Sequence, residues 1–275
     1  MSYSRFDEMI DKKNKILVLL DGSEESEKSL DFIIDSKILI FDQIVLFFIL
    51  NPFNPVTKGQ DKEVLYNDFV HDHGKRLATL YIEKLENHIN SKNSGIELSH
   101  NIVNSKDNLE RRLSLGDVDL TICSMSISNN LDFIFNKSKN INFLLESSRR
   151  ILIFPSNYEV FSEKKNNLII NFNESIKPKD FIDIENILQI DKFTILYSKN
   201  EKGSVGKLLE NIEKKFQIEI FENNKTNIKT IWNTSKDFNL FWQGLHRKNS
   251  FINNIFDSSR FYSLSNNTPI FFRAS

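Results

Sequence analysis

The chain has 275 residues, of which 40% are apolar and 27% are charged, a composition typical of globular proteins rather than disordered ones. Its 36 basic and 37 acidic residues leave a formal net charge of -1, so no overall field is available to hold nucleic acid or an anionic membrane. The length is sufficient for two domains of ordinary size.

The cysteine content and the apolar runs indicate where the protein resides. A single cysteine, Cys123, excludes an intramolecular disulfide and indicates a reducing compartment. The first thirteen residues have no apolar core of the signal-peptide type. The longest apolar run, Ile44–Leu50, is far shorter than the ~20 residues of a membrane helix. We therefore expect a soluble, cytoplasmic protein.

The first half of the chain alternates short apolar runs with helical patterns. Continuous runs rich in branched residues are typical of strands that are buried on both faces of a parallel sheet. The β-α alternation predicts a doubly wound α/β sheet with right-handed crossovers. The predicted strands are Lys15–Leu20, Gln43–Leu50, Ile96–Val103, Leu120–Cys123 and Ile151–Phe154.

A turn after the first strand and a long helix are also predicted in this half. Asp21-Gly22-Ser23 predicts a turn after the first strand, in which Ser23 with Ser26 can cap the following helix; Asp21 is interpreted as a turn residue that caps the same helix. A long helix is expected from near Leu65 to Ser91. Its helical spacing predicts one buried stripe made of Leu77, Leu80, Tyr81, Lys84, Leu85 and Ile89.

Two stretches of this half resemble the universal stress protein family. Lys15–Ser23 fits the opening strand of the family, which ends in Asp-Gly-Ser, and Asp119–Pro155 fits its closing segment without a gap. The resemblance covers about residues 12–157. It implies an adenine-nucleotide-hydrolase-like domain with a five-stranded parallel sheet in the order 3-2-1-4-5, flanked by helices. In such a sheet, ligands bind where the order reverses, at the carboxyl ends of strands one and four.

The resemblance also implies where ATP would bind. Nucleotide-binding members of the family use an acidic residue after strand one, which Asp21 matches, and a glycine-rich loop after strand four. The three loop glycines fall here on Ser124, Ile127 and Lys137, and the final hydroxyl is kept as Ser138. Glycines let backbone amides approach phosphate, often at positive φ, which a β-branched residue tolerates badly. We therefore predict no cofactor, while ATP with Mg²⁺ stays open in this half because Lys137 adds a positive charge.

The second half repeats the alternation after a polar connector at Phe161–Asn167. An internal repeat of about one domain's length predicts two similar domains, residues 1–160 and 161–275. The predicted strands are Leu168–Phe172, Phe193–Tyr197, Ile218–Phe221, Phe238–Trp242 and Ile270–Phe272, and the predicted helices are Lys179–Leu188, Val205–Phe216 and Phe251–Tyr262.

This half resembles a second, degenerate universal stress protein domain. Asn173 replaces the acidic residue, and the loop glycines fall on Trp242, Leu245 and Ile255. Single-domain members commonly pair through strand five, so the analogy implies an intramolecular pseudo-dimer through Ile151–Phe154 and Ile270–Phe272. A further homodimer is left open.

Other candidate sites are interpreted as structural. Gly203-Ser-Val-Gly206-Lys207 lacks the P-loop spacing and is interpreted as a strand–helix turn rather than an anion site. His71-Asp72-His73 predicts no metal site, because helix positions two apart do not share a face. Cys123 ends a buried strand and is expected to be an inert core thiol. No spacing indicates a catalytic residue.

We therefore expect a non-catalytic stress-response module that binds a protein or a small molecule without ATP. The alternative is an ATP-binding stress sensor or slow ATPase that uses Asp21, Lys137 and Ser138. An enzyme of the related ATP-pyrophosphatase group would need Ser-Gly-Gly-x-Asp-Ser after strand one, where this chain has Asp-Gly-Ser-Glu. Neither nucleic acid nor a membrane is an expected partner.

Overall fold

The computed structural model describes residues 14–35, 38–50, 60–92, 95–103, 111–113, 117–124, 150–154, 166–172, 176–212, 216–224, 238–245 and 270–274. Within these ranges, residues 25, 49, 60–71, 171, 238–245 and 270–274 are described by their backbone alone. The expected site positions Ile127, Lys137 and Ser138 lie outside the described residues, as do the helix expected at Phe251–Tyr262 and the boundary expected at residue 160.

Strands and helices alternate along the described chain. The strands are β1 (Lys15–Leu20), β2 (Gln43–Ile49), β3 (Glu97–Val103), β4 (Leu120–Ser124), β5 (Arg150–Phe154), β6 (Asn166–Asn171), β7 (Lys192–Tyr197), β8 (Gln217–Glu222), β9 (Phe238–Leu245) and β10 (Ile270–Ala274). The helices are α1 (Glu24–Asp35), α2 (Gln60–Lys92), α3 (Pro178–Glu185) and α4 (Lys202–Asn211), with a one-turn 3-10 helix (Lys199–Glu201) leading into α4.

The first five strands form a parallel sheet in the order β3-β2-β1-β4-β5. The predicted order 3-2-1-4-5 is therefore confirmed for this part of the chain. In the centre, Leu17 of β1 lies opposite Val45 of β2 on one side and opposite Thr121 of β4 on the other. Ile16–Leu20 and the whole of β4 are buried, which explains their almost continuous apolar sequence.

The remaining strands extend the same sheet. β6, β7 and β8 form a parallel three-stranded unit, and β9 and then β10 add in parallel on the other side of β6. β10 pairs with β5 in the antiparallel direction, so that Phe272 lies opposite Ile151 and Ile270 lies opposite Ile153. All ten described strands thus belong to one sheet, in the order β3-β2-β1-β4-β5-β10-β9-β6-β7-β8.

The predicted buried stripe of α2 is partly wrong. Leu77 and Leu80 are 54% and 62% exposed, and Lys84 is exposed as well. The buried residues are Ala78, Ile82, Leu85 and Ile89, at a spacing of 4-3-4, with Tyr81 half-buried beside them. Two apolar lines run along this helix, and spacing alone cannot tell which of them faces the sheet.

The strand–helix turn predicted at Gly203–Lys207 is also wrong, because α4 begins at Lys202 and contains both glycines. A β-carbon at Gly203 or Gly206 would meet no atom within 4 Å, so neither position requires glycine for space. Before the helix, Ser198 donates its backbone N–H (2.9 Å) and its hydroxyl (2.6 Å) to the Glu201 carboxylate. An acidic side chain thus already occupies the approach to this helix start.

Among the described residues, no helix combines the length and the apolar character that crossing a membrane would require.

Candidate functional site

The candidate site lies at the carboxyl ends of β1 and β4, where the order of the parallel strands reverses. β2 adjoins β1 on one side and β4 adjoins it on the other. The connections that follow two such strands diverge to opposite sides of the sheet and leave a crevice between them. Asp21 follows β1, and Ser124 is the last residue of β4.

Asp21 closes the turn that begins α1. Its Oδ1 accepts hydrogen bonds from the backbone N–H of Ser23 at 3.0 Å and from the Ser23 hydroxyl at 2.6 Å. Ser23 Oγ in turn accepts the backbone N–H of Ser26 at 3.2 Å, and the Ser26 hydroxyl donates to the Ser23 carbonyl at 2.8 Å. The capping turn predicted for Asp21-Gly22-Ser23 is therefore present, and one carboxylate oxygen of Asp21 serves it.

Gly22 is required in this turn by its backbone conformation. Its φ is +81°, a value that residues with a β-carbon rarely adopt. The ring of Phe48, near the end of β2, lies 3.7 Å from the place where a β-carbon would be. The chain thus leaves β1 through a tight turn, in which Gly22 has a left-handed backbone conformation, against the end of β2.

Tyr81 of α2 is a site residue that sequence reasoning missed. Its ring packs edge-on against Phe48, with centroids 5.5 Å apart. Its hydroxyl is buried near Ser26 and Glu27 and makes no hydrogen bond to either of them. Burial raises the pKa of Tyr81, and the negative charges of Glu27 and Asp21 raise it further. The hydroxyl therefore stays protonated at neutral pH, beside the capping turn.

Because an unsatisfied buried hydroxyl destabilises the folded state, Tyr81→Phe should raise the free energy of unfolding by about 1 kcal/mol. Urea denaturation of both proteins measures this difference. Tyr197→Phe is the control. Tyr197 is half-buried, and its hydroxyl, unlike that of Tyr81, is not a buried group that lacks a hydrogen-bond partner. A clear loss of stability in Tyr81→Phe would contradict the prediction and reveal a hydrogen bond that the hydroxyl makes in solution.

Ser124 is buried at the end of β4. It is fully buried and lies opposite Phe154 in the parallel pairing of β4 with β5. β4 is therefore one residue longer than the predicted strand Leu120–Cys123. The position of the first loop glycine is thus occupied by a strand residue inside the protein, rather than by exposed backbone at the edge of the sheet.

Cys123 lies in the core, whereas Asp72 and His73 lie on the surface of α2. Cys123 is fully buried, and burial raises the pKa of its thiol to about 12, so it is protonated at neutral pH. Asp72 and His73 are exposed on α2. Across the described ranges, no three His, Cys, Asp or Glu side chains are grouped so that they could hold a metal ion.

Two other histidines have carboxylate partners that the sequence did not reveal. His88 Nε2 lies 2.8 Å from Asp31 Oδ1 and joins α2 to α1. His100 Nδ1 lies 2.7 Å from Glu86 Oε1 and joins β3 to α2. Both contacts are exposed or half-exposed, and they hold helices to their neighbours rather than forming a reactive centre.

Comparison with known proteins concerns the fold. No family model and no curated protein matches this sequence. The structure is similar to that of a universal stress protein from Archaeoglobus fulgidus DSM 4304, with a TM-score of 0.59 and 15% sequence identity over 95% of this chain and 96% of that chain. It also matches a functionally unknown protein from Pseudomonas aeruginosa PAO1, with a TM-score of 0.47 and 11% identity over 95% of this chain and 92% of that one.

The likeness to the Archaeoglobus fulgidus protein agrees with the strand order observed in the first half of the chain. This chain has the fold of a universal stress protein.

Proposed function

We propose that this chain is a stress-response protein of the universal stress protein type, which binds a protein or small-molecule partner without catalysis and without ATP. Fold alone does not define function, so the proposal rests on the site. The proposal is supported by the hydrogen bonds of Asp21 and by the burial of Ser124. One carboxylate oxygen of Asp21 holds the capping turn, and Ser124 is buried in β4. Both observations favour structural roles for these two residues over nucleotide binding.

We further propose that the chain is a tandem of two such domains, and a repeated contact supports this. The Asn14 backbone N–H donates to Asp42 Oδ2 at 2.9 Å, and the Asp42 N–H donates to the Asn14 carbonyl at 2.9 Å. Asn166 and Asp191 make the same two bonds in the second half, at 2.9 and 3.0 Å. Each pair joins the start of one strand to the start of its parallel neighbour.

A second contact supports a pseudo-dimer of the two halves. Leu39, after α1, forms an antiparallel bridge with Leu188, after α3. The flanking bonds run from Ile40 N–H to the Ile187 carbonyl (2.8 Å) and from Gln189 N–H to the Ile38 carbonyl (2.6 Å). If Leu39 and Leu188 are equivalent residues, a two-fold rotation exchanges these two bonds. The antiparallel pairing of β5 with β10 is compatible with the same rotation.

The similarity to the Archaeoglobus fulgidus structure also favours the tandem arrangement, because it extends over 95% of this chain and 96% of that one. A single-domain protein would cover about half of this chain. We place the protein in the cytoplasm, where its one buried thiol would stay reduced.

Nucleotide release tests the absence of ATP. We expect freshly purified protein to release no adenine nucleotide when it is denatured, and added MgATP to leave its melting temperature unchanged. A bound ligand at about 100 times its dissociation constant would stabilise the protein by ~2.7 kcal/mol, a shift that is easily measured. Near-stoichiometric release of ATP would contradict the proposal and favour the ATP-sensing alternative.

Two aspartate variants separate a ligand site from a structural cap. Asp21 and Asp42 each accept a backbone N–H through a carboxylate oxygen, but they lie at opposite ends of the parallel strands. Both Asp21→Ala and Asp42→Ala should therefore lose stability by about 1–3 kcal/mol, with no response to MgATP in either protein or in the wild type. If wild type and Asp42→Ala responded to MgATP and Asp21→Ala did not, Asp21 would be a nucleotide ligand.

A further inference from the structure

The segment that directly follows α3 is bound to the first half of the chain through its backbone. Asn14 Nδ2 donates to the Asn186 carbonyl at 2.7 Å. Within the next three residues, the two bonds that flank the Leu39–Leu188 bridge also cross to the first half, at 2.8 and 2.6 Å. Three backbone groups within four residues of the second half are thus hydrogen-bonded to the first half.

The bond from Asn14 caps the end of α3. Asn186 is the C-cap residue of this helix, and the last carbonyls of a helix have no partner within it. The start of α3 is capped inside its own half, because the Lys177 N–H donates to Asp180 Oδ2 at 2.8 Å. A helix of eight residues is too short to be stable alone in water, so α3 depends on such contacts. Its end therefore depends on a side chain of the first half.

The equivalent asparagine of the second half uses its side chain differently. Asn14 directly precedes β1, Asn166 begins β6, and each binds the aspartate of the neighbouring strand through its backbone N–H. Both asparagines are half-buried. Asn166 Nδ2 donates to the Gln189 carbonyl at 2.9 Å, within its own half. The amide of Asn14 thus crosses between the halves, whereas the amide of Asn166 binds locally.

We propose that Asn14 is a clamp between the two halves, whose amide caps α3 and holds the Leu39–Leu188 bridge closed. Its acceptor, the Asn186 carbonyl, begins the segment that forms the bridge. Loss of this bond therefore removes one of the three bonds that oppose local opening of the segment. The pairing of β5 with β10 is a separate contact between other residues and stays in place. The inference does not depend on the proposed function.

Native-state hydrogen exchange in the full-length chain tests the clamp, because the amides of Ile40 and Gln189 exchange when the bridge opens. Asn14→Ala should speed exchange at both amides about fivefold, as expected for the loss of one hydrogen bond. The substitution keeps the backbone N–H of residue 14 and its bond. The amides of Leu17 and Ile169, in the buried middle of β1 and β6, should exchange as in the wild type.

Asn166→Ala is the matched control, because it removes an amide whose bond stays within the second half, and exchange at Ile40 should not change. Asn14→Asp keeps the size of the side chain but places an oxygen against the Asn186 carbonyl, so it should speed exchange at least as much as Asn14→Ala. Wild-type exchange in either Asn14 variant, or equal acceleration by Asn166→Ala, would overturn the proposal. Equal acceleration at the buried strand amides would also overturn it, because the effect would then be a general loss of stability.

Discussion

Replacing Phe154 with alanine should lower the free energy of unfolding by about 3–5 kcal/mol. Phe154 ends β5 and is buried, and its ring lies 4.6 Å from that of Phe32 in α1, at an interplanar angle of 52°. Truncation removes apolar surface from the core and leaves a cavity under α1. Urea denaturation followed by circular dichroism measures the loss.

A second pair of buried phenylalanines, in the second half, allows the same measurement to be repeated. Double-mutant cycles on both pairs separate the contribution of the ring–ring contact to the free energy of unfolding from that of burying each ring. Phe181 and Phe193 are also buried, with centroids 5.2 Å apart at 61°. Double-mutant cycles with leucine at each pair should give coupling energies of about 0.5–1.5 kcal/mol. A Phe154→Ala protein as stable as the wild type would contradict the contact. Because the Phe154 ring packs against Phe32 of α1, Phe154→Ala should also loosen the turn that Asp21 closes at the start of this helix.

Replacing Leu188 with alanine should lower the free energy of unfolding by about 2–5 kcal/mol. Leu188 is fully buried at the bridge to Leu39, where the segments that follow α1 and α3 meet. The substitution therefore removes packing from both halves at one point. Leu39→Ala is the paired substitution, and its cost should fall in the same range because Leu39 is buried on the other side of the same bridge.

The two tryptophans provide a specific readout, because Trp232 and Trp242 both belong to the second half. If the halves unfold as one cooperative unit, Leu39→Ala in the first half should shift the tryptophan fluorescence transition and the circular dichroism transition equally. Two separate transitions, with the fluorescence transition unchanged by Leu39→Ala, would show that the bridge does not couple the halves.

Much of the sheet could be predicted because the central strands have a simple signature. The residues of β1 and β4 are buried on both faces, so their sequences are almost continuously apolar. The strand order came from the resemblance of Lys15–Ser23 and Asp119–Pro155 to universal stress proteins, and the observed order of the first five strands agrees with it. The capping role of Asp21 was predictable as well, since a turn residue bonds groups only two positions away.

The site residues were harder to predict from the sequence. Tyr81 is sixty residues from Asp21 along the chain and approaches it only because α2 packs against β2 and α1. The sequence signal was its place in the predicted stripe beside Leu85 and Ile89, which did not indicate what its hydroxyl would meet. Ser124 was expected at the start of a loop, but pairing with β5 extends β4 by one residue and buries it.

The sequence by itself determined which segments become strands, which turn starts α1 and where the alternation repeats, because these depend on neighbouring residues and on local spacing. Only the tertiary structure decided which apolar line of α2 is buried, that Leu39 meets Leu188, and that the Tyr81 hydroxyl lies beside the Asp21 turn. Each of these depends on contacts between residues far apart in the chain, which form only when helices and strands pack together.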